Sequence, residues 1–177
     1  MKKTVINISI FITFLLIYYL QANLFATFNI AGVMPNLFVI LVLFIGLYMS
    51  KLMGVAYGII FGLLLDLIIG KKVGVSAIML GTIGFLGEMF DKNFSKESRM
   101  TIMIMVLIST IIYEVGSYVI NYFLYSLELE IIPFIKILLI ESLFNIMLTI
   151  ILFPLIQNLG YEIEEEYKGN KILTRYF

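Results

Sequence analysis

A chain of 177 residues that is 62% apolar and 14% charged, with a mean hydropathy of +1.06, carries more apolar surface than a water-soluble domain of its size can hide, so it reads as an integral membrane protein. The formal net charge is zero, and the absence of cysteine and histidine excludes disulfides, thiol nucleophiles, histidine bases and the usual zinc ligand sets, so no cofactor or metal is expected. The basic residues form no basic face for nucleic acid, and the apolar runs leave no room for a soluble catalytic domain, so no enzyme is expected.

The first apolar run, about Thr4 to Phe25, is long enough to cross a hydrocarbon core of ~30 Å. Met1-Lys2-Lys3 ahead of it resembles the start of a signal peptide, but no small-residue cleavage site follows, and the run is read as an uncleaved first span. An uncharged loop, Ala26 to Asn36, ends in Pro35-Asn36, which disfavours helix before the proline and permits one after it. Leu37 to Ile69 carries only Lys51 and Asp66 as charges and would make a helix of ~50 Å, too long for one crossing. Dividing it near Ser50-Lys51-Leu52 gives a second span over 36–50 and a third over 52–69, both short, tilted or locally thinning the bilayer.

Gly70-Lys71-Lys72 makes the next turn, and a fourth span covers about 73–90, in which Gly81, Gly84 and Glu88 share a helical face. The hydrophilic segment Asp91 to Arg99 precedes a fifth span over 100–125, where Tyr118, Tyr122 and Tyr125 recur near the end and read as headgroup anchors. Leu127 to Pro133 brings two glutamates, and a sixth span follows over 134–159. The expected fold is an all-α membrane protein, with six transmembrane helices in residues 1–161 and a charged, solvated cytoplasmic tail in 162–177. With six spans and the N-terminus inside, nine of the twelve lysines and arginines fall on the cytoplasmic side and only Lys71, Lys72 and Lys136 outside, which places both termini in the cytoplasm.

Gly54, Gly58, Gly62, Asp66, Gly70 and Gly74 recur at every fourth position. On a helix this makes a slowly coiling stripe that lets a second helix approach, the device by which membrane helices pack where lipid offers no hydrophobic force. Asp66 closes the stripe near the outer end of the third span, within reach of Lys71 and Lys72, and reads as a polar contact fixing the outer ends of spans three and four. Glu88, Glu114 and Glu141 are the other carboxylates in or beside apolar runs, and Asn145 lies one turn after Glu141. A charge at mid-helix costs ~2.5–3.5 kcal/mol on insertion scales, so each must meet a partner, a wet cavity or a proton. They read as polar contacts between spans, with a proton or ion relay as the alternative.

The order Pro35-Asn36-Leu37, Gly58, Gly62-Leu63 with Asp66, Gly70 and Gly74, then a late helix with Glu141, Asn145 and Pro154, resembles MreD, the rod-shape-determining membrane protein family of bacteria. Asn36 stands where that family more often has aspartate. The resemblance implies a bacterial cytoplasmic-membrane location, a non-enzymatic scaffold role in the cell-elongation machinery, and a bundle similar to the substrate-binding subunits of energy-coupling-factor vitamin transporters. It also implies association with an MreC-like single-span protein and, through it, with MreB-like filaments and the peptidoglycan glycosyltransferase and transpeptidase. The alternative is a small-molecule-binding subunit of a vitamin-type transporter, against which stands the lack of tryptophan and histidine for a stacking pocket.

Overall fold

In the computed structural model, which describes residues 2–69, 73–125 and 130–169, the other helices are arranged about a short one that opens at Asn36. The helices are α1 (Lys2–Leu20), continued by a π-helical turn at Gln21–Phe25, α2 (Leu37–Tyr48), α3 (Lys51–Ile69), α4 (Val75–Asn93), α5 (Arg99–Tyr125) and α6 (Ile131–Lys168). No strand occurs among the described residues, where the only extended pairing is an isolated bridge between Ile30 and Val33.

α2 is apolar all round, and such a helix belongs in a core. Of its residues only Leu41 is partly open, and it touches each of the other five helices. With 12 residues it spans ~18 Å, short of the ~30 Å hydrocarbon thickness. The second span is therefore not a tilted crossing set in lipid but an enclosed helix. Its ends are closed by protein. The Asn36 side chain accepts the Val39 N–H at 3.3 Å, and the Asn36 N–H is accepted by Oδ1 of Asn145 at 2.8 Å. Asn145 lies ~21 Å along α6 from its first residue, so the irregular chain before α2 enters the bundle with Val33 and Pro35 buried. Non-helical backbone at that depth is stable only inside protein. At the other end Lys168 donates to the Leu47 carbonyl.

α3 and α4 pack backbone to backbone. A Cβ on Gly54 would stand 2.5 Å from the Gly84 carbonyl oxygen, one on Gly58 would meet the Leu80 carbonyl, and one on Gly62 would meet Ala77. α4 answers with its own glycines: Gly84 lies on Gly54, while Gly87 lies on Gly46 and the Leu43 carbonyl of α2. Three helices thus meet through main chain.

α1 lies at the periphery, with Val5, Ile8, Ile12, Leu16 and Tyr19 exposed. It is tied in by Phe14, whose ring stacks on Phe61 of α3 at 4.3 Å and tilts against Phe38 of α2 at 5.3 Å. Helices Lys51–Ile69, Arg99–Leu124 and Ile131–Lys168, together with the segment Lys2–Phe25, are long and apolar enough to cross a bilayer. α4 ends in three charges, Glu88, Asp91 and Lys92.

The last helix corrects the sequence reading of the tail. α6 does not stop near Leu159 but runs 38 residues to Lys168, with Glu164, Glu166 and Lys168 of its final turns in ion pairs, while residues 170–177 of the expected tail lie outside the described residues. Lys96 binds both Asp91 and Glu164 at 2.6 Å, and Lys168 binds Asp91 at 2.9 Å, all with side chains at most 18% exposed. Lys2 pairs with Glu166 at 3.3 Å, and the Tyr167 hydroxyl meets Asn7. The start of α1, the end of α2, the end of α4, the α4–α5 link and the end of α6 therefore gather at one end, as alternating helices require. Within this cluster burial opposes the Asp91 charge, but hydrogen bonds and charge from Lys168 and Lys96 outweigh it and hold the Asp91 carboxyl below the usual carboxylate range.

Candidate functional site

Asp66 sits in the last turns of α3, is 5% exposed, and turns its carboxylate onto the start of α4. Oδ2 accepts the Gly74 N–H at 2.7 Å and Oδ1 the Ser76 N–H at 3.3 Å. The first N–H groups of a helix have no partner within it and carry its positive dipole end, so a carboxylate there is favourable by both bonding and charge. Gly74 precedes α4 with φ +103°, a backbone that side chains rarely adopt. An added Cβ at Gly74 would touch nothing, so this glycine shapes the turn and is not part of the helix–helix contact. Gly70, Lys71 and Lys72, the rest of the expected stripe and the expected partners of Asp66, lie outside the described residues.

Glu88 makes the matching contact at the other end of the pair. It is held by Lys92 at 2.7 Å, one turn away, and lies beside Lys51, the first residue of α3.

Glu114 of α5 and Glu141 of α6 come together in the bundle, carboxyl to carboxyl within hydrogen-bonding reach. The Asn36 side chain also reaches Glu141, whose Oε1 has no partner among the described residues. Tyr113 links this centre to the Asp66 end, with its hydroxyl within reach of Asn36 and of Ser76, the residue whose N–H caps onto Asp66. Asn145, fully buried, joins the network by accepting from Asn36 and donating to Thr110 Oγ1 at 3.0 Å.

The structure thus joins Glu114, Glu141 and Asn145 in one polar network, links Asp66 to it through Ser76 and Tyr113, and leaves Glu88 apart. Tyr118 is not a free headgroup anchor: its ring stacks on Phe134 of α6 at 4.2 Å. Tyr122 is exposed as expected. Sequence reading missed Tyr113, Gln21 and the Asp91 cluster. Gln21 donates to the Pro35 carbonyl at 2.8 Å from the π turn. For the cluster a signal existed, since Glu164 and Lys168 are one helical turn apart.

Helices long and apolar enough to cross a bilayer, with no strand among the described residues, define an all-α polytopic membrane protein. Residues 2–160 match the family described as rod shape-determining protein MreD. The chain belongs to that family, whose role is in determining rod shape. No curated protein and no solved structure matches it.

Proposed function

We propose that this protein is a non-enzymatic scaffold subunit of the bacterial elongation machinery, set in the cytoplasmic membrane with both termini inside. In this reading it holds the transmembrane helix of an MreC-like single-span partner and, through that partner, helps position peptidoglycan synthesis alongside MreB-like filaments. The observation that carries the reading is a groove on the outer face of the α3–α4 pair. It has a volume of about 460 Å³ and is lined by Val55, Ile59, Ala77, Gly81, Thr82 and Phe85. Small residues on a groove floor let a membrane helix approach closely, and the main-chain packing beneath keeps the groove from collapsing. Family membership supports the shape-determining role.

Copurification tests it. Thr82→Trp fills the groove from an exposed position and should abolish recovery of the MreC-like partner and yield round cells, whereas Leu143→Trp on the exposed side of α6 should leave both intact. Normal partner recovery with Thr82→Trp would remove the groove from the partner interface.

A further inference from the structure

A second recess lies at the Asp66 end, between the α3–α4 pair and α5. Its volume is about 200 Å³, and its polar lining is Asp66, Ser76, Tyr113, Ser117 and Asn121. Two lining atoms, Ser117 Oγ and Asn121 Oδ1, are shut off from solvent yet have no hydrogen-bond partner among the described residues. Buried polar atoms in native proteins are nearly always paired, with protein or with something bound. The pair therefore points to an occupant.

The chemistry of the wall selects it. Among the described residues each Asp66 oxygen takes one backbone N–H, which leaves a lone pair for a further donor. Asn121 Oδ1 can only accept, and the Ser117 hydroxyl can accept as well. Acceptors gathered round a carboxylate call for a group with several N–H donors and a positive charge. An anion would be repelled by Asp66, an apolar group would leave the orphaned atoms orphaned, and a quaternary ammonium has no N–H to give. The space equals about six or seven waters at ~30 Å³ each, which suits a two- or three-carbon amine and falls short of the ~300 Å³ at which drug-sized pockets begin.

We propose that this recess binds a primary ammonium group, of the class carried by ethanolamine lipid headgroups and by small alkyl amines. The site shares no lining residue with the groove assigned to a partner helix.

The test uses the full chain in bilayer discs made from equal parts phosphatidylethanolamine and phosphatidylcholine, with the lipid retained on extraction read by native mass spectrometry. Retention of phosphatidylethanolamine over phosphatidylcholine by about tenfold is expected, and a double variant Ser117→Ala with Asn121→Leu should bring the ratio near unity. Ser117→Ala alone keeps the comparison should the double variant not fold, and it should lower the ratio in the same direction. In discs of phosphatidylcholine alone, free ethanolamine is added and the melting temperature followed, with choline as the control. A rise with ethanolamine only, without lipid preference, assigns the site to a free amine; lipid preference without such a rise assigns it to the headgroup. Neither preference nor rise means that the recess holds water only and overturns the proposal. An undiminished preference in the variants overturns it too, because the lipid is then bound elsewhere.

Discussion

Asp66 and Glu88 stand in the same relation to opposite ends of one helix pair. Asp66, late in α3, receives the first N–H groups of α4, and Glu88, late in α4, lies beside the first residue of α3. Between these two contacts the backbones lie together along Gly54, Gly58 and Gly62. The arrangement fixes the register, since sliding one helix along the other would break the Asp66 bonds and unseat the glycine contacts.

The Asp66 contact depends on an acceptor oxygen more than on charge. Asp66→Asn keeps one such oxygen and Asp66→Leu keeps none, so leucine should cost about 1–3 kcal/mol more in unfolding free energy in detergent, the penalty of unmade hydrogen bonds at a buried helix start. Equal loss of function with both substitutions at unchanged stability would instead assign Asp66 an ion-coupled role.

The glycine contact is steric. Gly62→Leu drives a side chain into the Ala77 backbone and should destabilise the fold by at least ~3 kcal/mol or prevent its assembly. Leu67→Phe, on the exposed side of the same helix, should stay within ~0.5 kcal/mol. Thermal unfolding and yield in detergent compare the two.

Asn145 bonds simultaneously to α2 and α5. Asn145→Leu leaves the Asn36 N–H and the Thr110 hydroxyl without their partner and should cost about 1–3 kcal/mol. Asn145→Asp keeps the acceptor for Asn36 and should recover part of the loss on the same unfolding measurement.

The Asp91 cluster gives stability a pH dependence. Its carboxyl is held below the usual range, so its contribution is fully present above that range and is lost as the pH falls through the lowered value, when Lys96 and Lys168 lose their counter-charge. Unfolding followed across acid pH should show this decline. Asp91→Asn should be less stable at neutral pH by about 1.5–3 kcal/mol, and its acid limb should be flatter.

Sidedness can be read by labelling, because the chain has no cysteine of its own. Single cysteines at Ser95, in the link between α4 and α5, and at Asn29, in the exposed segment before α2, should react with an impermeant thiol reagent from opposite sides of the membrane. Labelling of both from outside intact cells would overturn the six-crossing arrangement.

The helices were legible because their cause is local: apolar runs of the right length, the Pro35-Asn36 start and the charged break at Asp91 to Arg99 each act within a few residues. The stripe at Gly54, Gly58 and Gly62 was legible as a contact surface for the same reason, but its partner was not. Gly46 and Gly84 meet Gly54, and Leu80 and Ala77 meet Gly58 and Gly62, all from two other helices, and no spacing within one segment reveals a meeting between segments. Asn36 and Asn145 are 109 residues apart, and their bond depends on how deep α2 starts in the bundle, which only the packed fold fixes. The tail misled for a physical reason. A run of glutamates reads as solvated until Lys96 and Lys2, far off in the chain, supply its counter-charges.

The enclosure of α2 has a consequence for biogenesis. Asn145 and Lys168, which close its two ends, belong to α6, which leaves the ribosome long after α2, 109 and 121 residues after the groups they satisfy. Until that helix enters the membrane, α2 is a segment too short to span and open at both ends, so insertion cannot run strictly span by span. The second helix can be seated for good only when the sixth has been made, and a chain cut short before α6 would leave the centre of the bundle unfinished.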